Sequence, residues 1–103
     1  MHALTRAIAW VCLAAPLALV ACRRTASPAE CEALVDHFAE LVVREKLPDA
    51  GAEIVAAERA RQRDEARKDE GFRACPEQMT RAQHACAMSA TTSDALLACF
   101  EGP

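Results

Sequence analysis

The sequence predicts an all-α fold: a small bundle of about four short helices, forming two helical hairpins, stapled by two disulfides and preceded by a cleaved signal helix. Three observations carry this. Beyond position 27 the apolar residues recur at spacings of three and four, the period of one helix face. Residues 1–21 have the three-part form of an export signal: a short start with His2 and Arg6, an apolar run from Ala7 to Val20, and small residues before a cut. Of the six cysteines, Cys31, Cys75, Cys86 and Cys99 form an even set downstream of that signal, which in an exported chain below about 100 residues reads as a disulfide framework.

The end of the apolar run is specific. Leu19-Val20-Ala21-Cys22 resembles the lipobox of bacterial lipoproteins, in which the bond before the cysteine is cut after its thiol has received diacylglycerol and the freed amine is then acylated. The resemblance implies lipidation at Cys22, palmitate among the acyl chains, and a chain divided into a signal peptide (1–21), a lipidated cysteine with its tether (22–27) and a helical domain (28–103). The 16 uncharged residues between Arg6 and Arg23 fall short of the run of about 20 apolar residues a spanning helix needs. An uncleaved helix is therefore the lesser alternative, and Trp10 and Cys12 leave with the signal. In enteric lipoproteins an aspartate after the cysteine retains the protein in the inner membrane; Arg23 departs from that rule and points to the outer membrane, facing periplasm or surface. Arg23 to Ser27 make a tether of roughly 17 Å at full extension, which holds the domain close to the headgroups. Arg23 and Arg24 are placed to meet anionic lipid at about 1 kcal/mol each, or else are solvated linker charges.

Residues 22–103 number 82, enough for one small domain, and carry 15 acidic against 11 basic residues. That acidic balance excludes a nucleic-acid-seeking protein. A chain this short buries a modest share of its surface and needs staples.

Ser27-Pro28-Ala29-Glu30 predicts a helix start: serine at the N-cap, proline first, glutamate third. Cys31, Leu34, Val35, Phe38, Leu41 and Val42 then mark one apolar face, with Glu32, Asp36, Glu40 and Arg44 on the other, and the helix is expected to end near Lys46, before Pro48. Asp49 in the following turn is a candidate cap for a second helix over 52–70, whose Ala, Glu and Arg content favours helix but offers little beyond Ile54 and Val55 to bury. There Asp64 and Lys68 are expected to pair, while Arg59, Arg63 and Arg67 form a row of like charges that works against the helix. Gly71 is expected as its left-handed stop, with Phe72 folding back beneath the last turn. Cys75-Pro76-Glu77 opens a third helix in which Met79, Ala82 and Cys86 share a face. Thr91 to Asp94 break the chain and cap a fourth, with Leu96, Leu97 and Phe100 facing the core around Cys99.

Geometry ranks the three possible cysteine pairings. If Cys75 and Cys86 bracket one continuous helix they stand about 16 Å apart, beyond the roughly 7 Å limit for a bridge. Cys86 and Cys99 are nearly equidistant from a turn at Thr92-Ser93 and so face one another, leaving Cys31 with Cys75. The segment Cys86–Cys99 also resembles the closing hairpin of small, uncharacterised bacterial helical lipoproteins, which share cysteines thirteen apart with residues matching Ala90, Thr92 and Leu96; their acid sits one position later than Asp94. That likeness covers the 14 residues of this segment and implies no activity.

Other chemistries fit less well. There is no Cys-x-x-Cys for thioredoxin-type redox work and no Cys-x-x-Cys-His for haem. His84-x-Cys86 is the nearest approach to a zinc motif, but ligands on one helix share a face at i+3 or i+4. A Cys86 nucleophile beside His84 lacks the glycine-rich turn or convergent acids that hydrolases use, and His37 reads as a boundary residue. The expectation is a non-enzymatic lipoprotein without metal or cofactor. It would bind an envelope protein through the second helix or the open side of the bundle, or, alternatively, act as an inhibitor or immunity-type lipoprotein that blocks a hydrolase or toxin.

Overall fold

Ser27 begins the first helix as its context predicts. The computed structural model describes residues 25–102; the signal segment, Cys22, Arg23 and Arg24 lie outside the described residues. Ser27 Oγ accepts from Glu30 N at 3.1 Å and Glu30 Oε1 accepts from Ser27 N at 2.9 Å, completing the capping box. Helix α1 (Pro28–Lys46) ends two residues before Pro48, and α2 (Ala52–Lys68) returns along it to form the broadest helix contact of the fold.

Several boundaries differ from expectation, each for a local reason. Gly51 rather than Asp49 is the N-cap of α2, with no side-chain cap. Asp69 turns extended and its carboxylate accepts from Gly71 N at 3.0 Å, which starts a separate single turn, α3 (Glu70–Arg73). Gly71 therefore lies inside that turn and is not a left-handed stop; among the described residues only Gly102 has positive φ, 92°. The expected helix through Cys75 and Cys86 is two: α4 (Cys75–Gln78) and α5 (Arg81–Ser89), with Met79 and Thr80 extended between them. Thr80 and Gln83 exchange bonds of 3.0 and 2.9 Å, a second capping box that restarts the helix. Helix α6 (Ser93–Ala98) follows, capped by Thr92 Oγ1 on Ala95 N. Six helices thus replace about four among the described residues, because two short polar side chains, Asp69 and Thr80, satisfy helix ends in mid-run.

The extended step at Met79 also receives the start of the domain. Ala26 N donates to the Met79 carbonyl at 2.8 Å, Thr25 pairs with Thr80 in an isolated antiparallel bridge, and Ala26 is fully buried. The last residues of the expected tether are therefore packed into the fold.

Two small cores result. Ala26, Cys31, Cys75 and Met79 form one, with Phe72 against it; Leu41, Ala87 and Leu96 form the other, with Phe38, Ala90 and Cys99 against it. Leu34 touches both and makes them continuous. Helix α1 is buried on more than the single expected stripe: Ala39 and Val43 are buried as well as Cys31 and Leu41. Asp36 and Glu40, expected on the solvated side, meet α2. Arg63 donates to both Asp36 oxygens at 2.8 and 2.6 Å, and Arg59 reaches Glu40 at 3.0 Å. The row of like charges on α2 is thereby neutralised, Arg67 being paired with Asp64 at 3.3 Å. Asp64 thus takes Arg67 and not Lys68, which lies 3.9 Å from Glu65. The Arg59–Glu40 and Arg63–Asp36 pairs register α2 on α1.

The disulfides are Cys31–Cys75, with Cα atoms 6.3 Å apart, and Cys86–Cys99, at 5.9 Å, matching the geometric ranking. The break at Met79–Thr80 removes the premise of that ranking, since Cys75 and Cys86 do not share one helix, while its outcome stands. The first bridge is buried; the second has Cys86 exposed.

A polar clasp joins the far end of α1 to α6. Glu45 accepts from the Ser93 amide at 2.7 Å and from its hydroxyl at 2.7 Å. The hydroxyl bond first, and the amide bond second, hold the Glu45 carboxyl below its ordinary value. A carboxyl whose pKa is depressed by folding contributes stability above its unfolded pKa and loses it as pH falls through the folded value. Glu45→Gln is expected to flatten the fall in melting temperature on acidification below about pH 4.5, the ordinary Glu value, measured by thermal circular dichroism; an unchanged acid slope would show that the clasp carries no weight.

Candidate functional site

The second hairpin leaves a trough open above α1. Leu34, Val35 and Phe38 of α1 form its floor, Gln62, Glu65, Ala66 and Asp69 of the α2 end one wall, and Leu96, Leu97 and Phe100 the other, with Phe72 at the edge. The cavity measures about 460 Å³. A second hollow of about 660 Å³ shares Leu34, Asp69, Phe72, Leu97 and Phe100 with it and continues to Cys75, Met79 and Gln83, so the two make one elongated trough. Both volumes lie in the range of ligand and peptide sites.

All three phenylalanines of the chain, Phe38, Phe72 and Phe100, line this trough. Leu97 and Phe100, expected in the core, are 48% and 39% exposed, because α6 has only six residues and its buried side is already occupied by Leu96. Fully covering such side chains is worth about 1.5–3 kcal/mol each, and apolar residues gathered in one concave patch mark an interaction site more often than scattered ones do. The charged residues lining the two hollows, Glu65 and Asp69, are both acidic; Gln62, Gln78 and Gln83 supply the remaining polar side chains.

The residues considered for other chemistry are placed elsewhere. Cys86 is bonded to Cys99, which removes the thiol that zinc or a nucleophile would need at His84. His84 Nδ1 instead lies 3.5 Å from Glu30 Oε2, and its buried Nε2 has no partner. The Glu30 carboxyl is held low first by the Ser27 backbone N–H and then by its hydroxyl. His37 Nε2 donates to the Ala90 carbonyl at 2.8 Å, tying α1 to the end of α5. Among the described residues no three His, Cys, Asp or Glu side chains converge on a metal position, and no helix is long and apolar enough to cross a membrane. Lipidation at Cys22 falls outside the described residues.

Sequence periodicity missed the trough because Leu96, Leu97 and Phe100 fall at helical spacing and read as one buried face. Only the brevity of α6 separates them. Compared with known proteins, the chain matches no family model, no curated protein and no solved structure.

Proposed function

We propose that this protein is a small lipoprotein of the bacterial envelope, anchored through Cys22, that docks another envelope protein in its apolar trough and acts by contact and not by catalysis. One observation carries the docking reading: Leu97 and Phe100 stand exposed on one open concave surface whose floor and edge are the half-buried Phe38 and Phe72, so the apolar side chains that the cores leave uncovered are gathered in one place. The anchoring reading rests on Leu19-Val20-Ala21-Cys22 and the uncharged run before it. Outer-membrane residence follows from Arg23 by the same resemblance. Diacyl anchoring is stable where a single chain is reversible, and the three residues from Cys22 to Thr25 span roughly 10 Å at most. The trough would then be held beside the headgroups.

Mass spectrometry of material from native envelopes is expected to give an N-terminal peptide that begins at acylated Cys22; an intact Met1 would overturn the anchoring reading. A photocrosslinking residue at position 100 is expected to yield a discrete protein adduct in intact cells, whereas one at position 53, at the opposite end of α2, is not. Equal labelling from both positions would remove the trough as the docking surface.

A further inference from the structure

We infer that the trough accepts a basic amphipathic helix of the partner protein, one that presents apolar side chains at i, i+3 or i+4 and i+7 and Lys or Arg on the flanks of that stripe. This names the partner chemistry of the docking site proposed above and rests on that reading.

Three features select this occupant. The first is charge. Among the described residues Glu65 and Asp69 are the only charged side chains lining the two joined hollows, and residues 25–102 carry fifteen acidic against nine basic residues. Several of the nine cations are already engaged: Arg59 and Arg63 with α1, Arg61 with Glu58, Arg67 with Asp64; Lys68 lies 3.9 Å from Glu65, a solvent-exposed pair at the limit of an ion contact that a closer cation on the occupant can replace. An anionic occupant, whether a fatty acid or an acidic lipid surface, would bring like charge to Glu65 and Asp69; a basic one brings complementary charge, which steers encounter and fixes register.

The second feature is backbone chemistry. Recognition of an extended peptide by strand addition needs a free sheet edge, and the only β pairing among the described residues is the single Thr25–Thr80 bridge. A helix satisfies its own backbone and asks of the trough only side-chain contacts, which is what Leu34, Phe38, Phe72, Leu97 and Phe100 offer.

The third is position. Met79 lines one end of the trough, and its carbonyl holds Ala26, four residues from Cys22. That end is the one nearest the anchor, so the partner helix meets the trough close to the membrane surface.

The test uses the full chain isolated from envelopes, in phosphatidylcholine nanodiscs, or in buffer if it proves to carry no acyl chain. Two fluorescent peptides of about 18 residues share the same Leu and Phe stripe at helical spacing and differ only in flanks of lysine or glutamate. Anisotropy titration is expected to show the lysine peptide binding at least about tenfold more tightly than the glutamate peptide, with the gap narrowing at high salt. Glu65→Lys is expected to shrink or reverse that ratio. Leu97→Glu with Phe100→Glu is expected to abolish binding of both peptides with unchanged far-ultraviolet circular dichroism, since both side chains are already exposed.

Equal affinity for the two peptides, lost in the double variant, would overturn the basic partner and leave the docking surface standing. Binding indifferent to the double variant would overturn both. A dimer in sedimentation that Phe100→Glu dissociates would make a second copy the occupant. Attachment to anionic vesicles through Leu97 and Phe100 would make it a lipid surface. Either result would overturn the inference.

Discussion

Cys31→Ala with Cys75→Ala is expected to lower stability by about 4 kcal/mol, enough to remove cooperative folding near 37 °C. The bridge joins residues 44 apart, and a loop of that size corresponds to about 4 kcal/mol of denatured-state entropy in the chain-entropy model. Folded-state packing adds to this. Cys31 is 2% exposed and Cys75 8%, and together with Ala26 and Met79 they are the buried members of the first core, so the substitutions also hollow out one of two small clusters. The 78 residues from Thr25 to Gly102 have an expected total stability of about 4–12 kcal/mol. The loss is therefore a large fraction of the whole. Thermal circular dichroism should show a fall of roughly 15–30 °C or no transition at all. Cys86→Ala with Cys99→Ala provides the control, because its loop spans 13 residues, worth about 3 kcal/mol, and Cys86 is solvent-exposed. If that second pair proved the costlier to remove, the view of the buried bridge as the main staple would fail.

Leu96→Ala is expected to cost about 3 kcal/mol, within the usual range for truncating a buried leucine. Leu96 is 3% exposed and is the only buried residue of α6; it closes the second core on Leu41 and Ala87. The Cys86–Cys99 bridge would still hold α6 to α5, but α6 would lose its seat on α1, leaving only the Glu45–Ser93 clasp. Two readouts follow. The melting temperature should drop by roughly 12–24 °C, and hydrogen exchange should accelerate in α6 beyond its rise in α1. Because Leu97 and Phe100 travel with α6, trough binding should weaken even at temperatures where α1 and α2 remain folded. A shift of only a few degrees with uniform exchange would mean that the clasp and the bridge seat α6 without the leucine.

These two results bear on how the molecule is organised. Helix α1 is the common partner: α2 lies along one side through Arg59 and Arg63, and α4, α5 and α6 lie on others. The trough exists because α2 and α6 are both set against α1 and leave a gap between their facing ends. Tightening or loosening either attachment changes the width of that gap, which is why Leu96, at the base of the trough wall and only 3% exposed, is expected to affect binding chiefly through the seating of α6.

Much of this could be read from the chain alone, wherever the controlling interaction is local. Ser27 and Glu30 announce the start of α1, Pro48 its end, and Thr92 the start of α6, because capping bonds span three or four residues and leave their mark at fixed spacing. Thr80 and Gln83 carry the same mark, while the spacing of Met79, Ala82 and Cys86 reads as one continuous face and hides the break between α4 and α5. The even set of cysteines and the near-equal distances of Cys86 and Cys99 from the turn point to the pairing found, although the continuous helix assumed between Cys75 and Cys86 is broken at Met79–Thr80.

What depended on the third dimension was which apolar residues would find a partner. Asp36 and Glu40 read as solvent-facing until α2 brings two arginines to them, and Leu97 and Phe100 read as core until α6 proves too short to bury more than Leu96. Helical period assigns a residue to a face; only packing decides whether another element covers that face. In this protein the uncovered face is the trough, and its acidic rim comes from the far end of a helix that sequence spacing could not place beside it.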